Sequence, residues 1–342
     1  MHAAYVFDRA SLAAKLETVQ NAKVLLVGDV MLDEYLAGDV ERISPEAPIP
    51  IVKVAESRLH LGGAGNVARN ITSLGGEAHL IGVCGEDAKG AIIRSILAEE
   101  GVGENLMLAA TRPTTLKTRV IARNQQMLRI DHEDTTPLVA TEIAVLLDAV
   151  AKVIEEYPVI VVSDYGKGVV SDELMRGIIA LRNASRSKPR ILVDPKTPNF
   201  AFYNDVFIMT PNAKETSEAA NMPARSREEI LAAGRTILRN LRCERLLTTL
   251  GANGMALFLG EDTVWHIPTA AQKVFDVTGA GDTVMATLAL CLASGLDLLD
   301  ACVLANYAAG IVVAEIGASA VQKNALLEVL ATTKEPEISR WA

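Results

Sequence analysis

A chain of 342 residues with a formal net charge of −9 is long enough for one large α/β domain or two smaller ones. The negative balance gives no basic footprint for nucleic acid or an anionic membrane surface. No apolar run reaches the roughly 18–20 residues that span a bilayer. Hydrophobic residues make up 50% of the chain and aromatic residues only 4%, so the core is expected to be aliphatic, as in a buried parallel sheet covered by helices on both faces.

The N-terminus carries Asp8, Arg9 and Lys15 and lacks the continuous apolar stretch of a secretory signal. Cys84, Cys243, Cys291 and Cys302 are dispersed without C-x-x-C spacing, and the histidines show no metal-ligand spacing. Reduced thiols, a cytoplasmic location and no zinc site are expected.

In chain order, the pattern predicts a short helix over 11–19 capped by Ser11, then a buried strand over 23–27 ending at Gly28-Asp29. From there to about residue 61 helical repeats vanish, Pro45, Pro48 and Pro50 intervene, and 51–54 reads as β. Gly62-Gly63-Ala64-Gly65-Asn66 leads into a helix to about 74, followed by a strand at 78–83 and a helix over 88–100. A second β-rich stretch covers about 114–131, including Asn124. The two excursions, 34–61 and 114–131, are expected to pair as a lid inserted in a single domain spanning 1–342. Plain alternation follows: helix 141–156, strand 159–163, helix 171–182, strands 190–193 and 206–209, helix 227–241, strand 245–249 and a hairpin over 255–267. A buried helix from Val284 and helices over 298–315 and 322–331 close the chain. Strands alternating with helices imply a doubly wound, mostly parallel α/β sheet. Ligands then bind beyond the carboxyl ends of the strands, where Asp29, Asp164, Asp194 and Asn212 fall.

The most informative stretch is Asp276-Val277-Thr278-Gly279-Ala280-Gly281-Asp282, directly before an apolar run that ends at Gly295. A Gly-Ala-Gly turn at a helix N-terminus presents unpaired N–H groups and the positive end of the helix dipole, a setting for phosphate. Asp282, kept ionised in the first turn, suits a base that takes a proton from an attacking hydroxyl. Phosphoryl transfer is the chemistry implied; a structural helix cap is the plainer reading of the same residues. No G-x-x-x-x-G-K-[ST] loop occurs. Gly62 and Gly63 permit close backbone approach, and Asn66 can donate to and accept from sugar hydroxyls. The same segment fits a dinucleotide pattern, G-x-G-x-x-A, but without the required βαβ context. Asp29 and Asp33 can accept from a polyol or serve as turn caps. Asn212 and Glu215 fit either an Mg²⁺ site reached through water or a capping box. Lys167 and Lys196, each just after a strand-end acid, suit phosphate or are solvated loop lysines.

These segments resemble the PfkB/ribokinase family of sugar kinases. Asp276–Asp282 is similar to its signature D-x-x-G-A-G-D, and the segment from Gly62 to Ala68 to its di-glycine signature. The resemblance implies that Asp282 is the catalytic base, with Gly279, Ala280 and Gly281 as the anion hole. It places Gly62, Gly63, Asn66, Asp29 and Asp33 at the sugar. Asn212 and Glu215 would organise Mg²⁺ and the ATP phosphates, with Lys214, Thr278 and Lys196 nearby, and Thr249, Gly251, Gly254 and Asn306 on the nucleotide side. A monovalent cation is left open. Met31 stands where many members carry Asn, a departure that affects the sugar pattern.

A narrower resemblance rests on four segments, 28–33, 43–50, 118–126 and 163–168, which together look like the family members that phosphorylate D-glycero-D-manno-heptose 7-phosphate. It implies ATP-dependent transfer to the C1 hydroxyl, giving the 1,7-bisphosphate for lipopolysaccharide-core heptose precursors. The substrate's own phosphate would need cations, with Arg69, Arg119, Arg123, Arg129 and Lys167 as candidates and Asp164 alongside. A homodimer through the lid, and a nucleotidyltransferase on a separate protein, are further implications. Another sugar kinase of the family, or a non-catalytic sugar or nucleotide sensor, are the alternatives.

Overall fold

The structure is a computed structural model that describes residues 5–342 apart from 110, 124, 316 and 318; Asn124 thus lies outside the described residues. In chain order the elements are α1 (Arg9–Glu17), β1 (Lys23–Ile43), β2 (Pro50–Gly63), α2 (Ala64–Ser73), β3 (Glu77–Gly85), α3 (Ala88–Glu99), β4 (Gly103–Ala109), β5 (Leu116–Ala122) and β6 (Gln125–His132). They continue with α4 (Ala140–Val153), β7 (Val159–Ser163), α5 (Asp172–Ala184), β8 (Arg190–Asp194), β9 (Ile208–Met209), α6 (Ala213–Ala220), α7 (Arg227–Leu241) and β10 (Arg245–Thr249). The last are β11 (Met255–Phe258), β12 (Val264–Ile267), α8 (Ala280–Ala293), α9 (Leu298–Val312), α10 (Lys323–Thr332) and β13 (Ser339–Arg340).

The main sheet has the order β13-β12-β11-β10-β9-β8-β7-β1-β3-β4. It is parallel from β4 to β10 and antiparallel from β10 to β13. Its central strands are apolar throughout because both faces are covered. Val24 and Leu26 join one core with Ile71 of α2, Leu288 of α8 and Leu304 of α9, while Leu25 and Val27 join the other with Leu146 of α4, Ile178 of α5 and Ile237 of α7. This is the doubly wound, mostly parallel α/β architecture expected from the alternation.

The first strand differs from expectation. Rather than ending at Gly28-Asp29, β1 runs for 21 residues and leaves the main sheet for a smaller one. Gly28 is not a stop: a Cβ there would overlap the Ser163 carbonyl of β7, so glycine admits a close neighbour. Beyond Asp29 the strand pairs antiparallel with β2, from Val30 opposite Gly63 to Ile43 opposite Pro50, and parallel with β5 over Leu32–Gly38. With β6 antiparallel to β5, the two β-rich stretches form a second sheet ordered β2-β1-β5-β6.

Other differences are local. Asp8, not Ser11, caps α1, its Oδ1 accepting the Ser11 N–H at 2.9 Å. Three elements lay outside the expected order, β4, α6 and β13, with α6 implied only by the capping-box reading of Asn212 and Glu215. The first is a half-exposed edge strand, the second reads AKETSEAA without apolar periodicity, and the third is two residues long. The helix α8 begins at Ala280, inside the glycine turn, and is buried from Asp282 to Leu292. Among the described residues no helix is long and apolar enough to cross a membrane, and all four cysteines are buried and unpaired.

Candidate active site

The chain runs outward from β1 to β3 and β4 and then returns through α4 to β7 on the other side of β1, and this reversal opens a crevice at the carboxyl ends of these strands. The N-terminus of α8 points into it. Gly279 takes φ 80° as N-cap and makes no side-chain capping bond. The Ala280 N–H, expected in the anion hole, donates instead to the Val277 carbonyl at 3.2 Å. The Gly281 and Asp282 N–H groups of the first turn are therefore the ones that can serve a ligand. A Cβ at Gly281 would meet nothing within 4 Å, which marks open space in front of the turn, whereas one at Gly279 would lie 3.0 Å from Asn66 Nδ2.

Asp282 is buried in that first turn and gripped from both sides. The Tyr165 hydroxyl donates to its Oδ1, and Asn66 Nδ2 donates to its Oδ2 at 2.6 Å. Burial pushes its carboxyl up to about 6 and the facing Asp33 adds to this, while the two donors oppose it. Asn66 Oδ1 is buried with no partner among the described residues. A lone acceptor beside the base is suited to a ligand hydroxyl.

On the lid side, Arg119 Nη1 donates to Asp33 Oδ1 and its guanidinium lies 5.2 Å from the centre of the Tyr35 ring. Burial would lower the Arg119 pKa, but Asp33 outweighs it and the net shift is upward. Asp276 accepts the Thr278 N–H at 2.9 Å, the Thr278 hydroxyl at 2.7 Å and the Gly317 N–H at 3.1 Å, fixing the turn ahead of the glycines. Burial alone would raise Asp276, yet these donors and Arg119 hold it below the usual carboxylate range.

Next to the α8 N-terminus lies a cleft of about 500 Å³ lined by Thr249, Gly251, Gly254, Ala280, Asn306 and Gly310, among others. Asn306 is held in its wall by donating to the Pro268 carbonyl at 2.8 Å. The sequence thus brought together the glycine turn, the 249–254 loop and the Asn306 helix around one cavity. A larger cleft of about 660 Å³ shares Ala252 and Thr269 with it but touches neither Asp282 nor the glycine turn; its place away from the base makes it the weaker candidate.

Several other candidates sit elsewhere or are already engaged. Asp29 does not face an open sugar pocket; its Oδ2 accepts the N–H groups of Tyr165 at 2.7 Å and Lys167 at 3.0 Å, and its Oδ1 that of Val169 at 3.2 Å. Asp164 likewise accepts from the Gly166 N–H at 2.7 Å, the Asn199 amide at 2.7 Å and the Tyr203 hydroxyl. Gly62 and Gly63 are required by packing: a Cβ at Gly62 would crowd Asp33 and one at Gly63, where φ is 58°, would overlap the Asp29 carbonyl. Lys214 is a surface residue, its side chain 83% exposed and paired with Glu218 along its own helix. Arg69 pairs with Glu100 at 3.2 Å, Arg123 donates to the Val40 carbonyl at 3.0 Å, and exposed Arg129 pairs with Asp131. Lys167 meets Glu133 at 2.8 Å.

Asn212 and Glu215 form a complete capping box at the start of α6, with bonds of 2.9 and 3.0 Å, and Lys196 lies 3.8 Å from Glu215. No group of three or more His, Cys, Asp or Glu side chains among the described residues is placed to cage a metal ion. Charge nonetheless favours a cation here: burial, with Asp282 and Glu215 facing it, pushes Asp194 well above the usual carboxylate range. A divalent ion held mainly by water and ligand oxygens fits such a set. Tyr165 is the residue sequence reasoning missed, since nothing in the chain links it to an acid 117 positions away.

A sequence model of the pfkB family carbohydrate kinases matches residues 21–325. The chain belongs to this family. It is similar to a protein named "Bifunctional protein HldE" of Rhodospirillum rubrum, 42% identical over 330 residues, which are 96% of this chain and 66% of the relative. A second with that name, of Syntrophotalea carbinolica, is 41% identical over 325 residues, 95% of this chain and 66% of the relative. The kinase therefore spans just under two thirds of the length of these curated relatives. Among solved structures, ribokinase of Arabidopsis thaliana complexed with ribose and ATP aligns with a TM-score of 0.72 at 18% identity, covering 91% of this chain and 99% of that one. Phosphofructokinase-2 of Escherichia coli in complex with fructose-6-phosphate gives 0.74 at 21%, with 91% and 99% covered. At such identities these two show the fold, which is ribokinase-like.

Proposed function

We propose that this carbohydrate kinase uses ATP and Mg²⁺ to phosphorylate D-glycero-D-manno-heptose 7-phosphate at its C1 hydroxyl. The observation that carries the chemistry is Asp282, buried between Tyr165 and Asn66 at the N-terminus of α8, beside a cleft of nucleotide size. The sugar hydroxyl would lie against Asp282, with a neighbouring hydroxyl donating to the orphaned Asn66 Oδ1. Asp282 takes the C1 proton as the phosphoryl group moves in line from ATP, which leaves as ADP, and the N–H groups of the glycine turn, Gly281 foremost, stabilise its equatorial oxygens. Asn212 and Glu215, with Asp194 near, would hold Mg²⁺ through water; the bound ion would neutralise charge on the phosphates. Arg119 is the cation we assign to the substrate side, since it bonds Asp33 from β5 and its charge helps to hold Asp276 ionised.

The heptose reading is supported by the four quoted segments and by the relatives named bifunctional. Those relatives extend beyond the matched part, with room for a second activity; a nucleotidyltransferase acting on the product is the pathway neighbour we propose. A cytoplasmic location accords with the buried free thiols. The test is product analysis by phosphorus NMR. A new anomeric phosphate signal coupled to H1, beside the original 7-phosphate, is expected; phosphorylation at any other carbon would reject the assignment.

Two further outcomes are expected. Because burial raises Asp282 to about 6, it is protonated and inactive as a base below that pH, so kcat should fall on the acid side with an apparent pKa near 6. A kcat flat down to pH 4.5 would remove the base assignment. The second sheet, as a lid, leaves Met127, Leu128 and Ile130 of β6 exposed, an apolar row suited to pairing two copies. Light scattering should give a dimer, and Leu128→Glu should weaken it; a monomer at all assay concentrations would discard this interface.

A further inference from the structure

We propose that Tyr165 is a positioning residue for the base, and that Asp29 holds the loop that presents it. This rests on the reading of Asp282 as the base. Tyr165 and Asn66 each donate to a different oxygen of the Asp282 carboxylate. Each carboxylate oxygen accepts two bonds, so both donors can stay in place while one lone pair remains open to a substrate hydroxyl. Together they fix the plane of the carboxylate and therefore the direction in which it accepts the proton.

The position of Tyr165 is set from below. The loop after β7 curls around the buried Asp29 carboxylate, which takes the N–H groups of Tyr165, Lys167 and Val169. Gly166 at φ 66° and Gly168 at φ 88° supply the left-handed turns that aim these donors inward. Asp164, anchored by Tyr203 and Asn199, takes the Gly166 N–H and fixes the outer side of the same loop. Burying Asp29 is costly: burial and the nearby Asp164 push its carboxyl up to about 6 despite three N–H donors. A carboxylate committed wholly to one loop makes sense where the position of that loop matters. The chain of contacts then runs from Asp29 through the loop to the Tyr165 hydroxyl and so to Asp282.

The ionisable groups facing Asp282 are Asp33 from β1, Asp194 at the end of β8 and Tyr165 itself. Asp33 disfavours a second negative charge, and the ionised base is stabilised by Tyr165 and Asn66. Removing the tyrosine hydroxyl therefore affects both the geometry and the titration of Asp282.

The test is the turnover and pH profile of Tyr165→Phe, Asp29→Asn and the double variant, with Asp282→Asn in the same assay. Tyr165→Phe should lower kcat about tenfold or more, the loss of one hydrogen bond to a charged group. KM for sugar and nucleotide should stay within about twofold, and the acid limb should move to higher pH. Asp29→Asn should change kcat and the limb in the same direction, and the double variant should be no worse than the more impaired single, as for residues acting in series. Wild-type kcat and an unmoved limb in Tyr165→Phe, with Asp282→Asn inactive, would overturn the positioning role alone. An active Asp282→Asn would overturn the base assignment and this proposal with it.

Discussion

Replacing Asp282 by Asn is expected to lower kcat by about two to four orders of magnitude, the contribution of a positioned general base, while nucleotide binding persists. The cleft is lined by other residues, so calorimetry should give an ATP affinity close to that of the unaltered kinase. Misfolding is not expected to be the cause of the loss. The raised pKa of Asp282 means that its ionised form is disfavoured in the folded state, so the penalty is fully present above about pH 6. A shift of this size corresponds to on the order of 3 kcal/mol, and Asn does not incur it. The variant should therefore melt no lower than the parent at pH 8. Near-normal turnover, or a loss of activity explained by a collapsed melting temperature, would each count against the assignment.

The second large effect separates two glycines that look alike in the sequence. At Gly63, φ is 58° and ψ −136°, and a Cβ would overlap the Asp29 carbonyl. Gly63→Ala is expected to cost about 3 kcal/mol or more from strain and overlap together, and to displace Asn66 at the start of α2. Gly281 is the opposite case, because a Cβ there meets nothing within 4 Å. Gly281→Ala should leave the urea midpoint unchanged yet abolish most turnover by filling the space meant for the transferring group. Equal stability for both variants would show that Gly63 is not a packing glycine, and full activity of Gly281→Ala would show that no anion approaches that turn.

Much of this was legible because the signals are local. The glycine turn and the apolar run behind it specify α8 and its exposed N–H groups together, and alternating strands and helices specify the parallel sheet. What could not be read were long-range commitments of side chains. Asp29 looks like a ligand for a polyol and Asp164 like a strand-end substrate residue, but most of their acceptor capacity is taken by backbone N–H groups and neighbours that the fold supplies. Gly28 looks like a strand stop, yet it serves the close approach of β7. Tyr165 carries no local signal; it becomes part of the site because β7 and α8 meet at the switch point. Lys214 lies in a motif that marks the right turn, but helical geometry turns its side chain to solvent.

The central claim is transfer of a phosphoryl group from ATP to a sugar phosphate, and ADP release with Mg-ATP tests it most directly. The panel is heptose 7-phosphate, fructose 6-phosphate, fructose 1-phosphate, ribose and adenosine. Strong turnover with heptose 7-phosphate and little with the others is the predicted result. Binding of ATP with no ADP release on any member of the panel would contradict it.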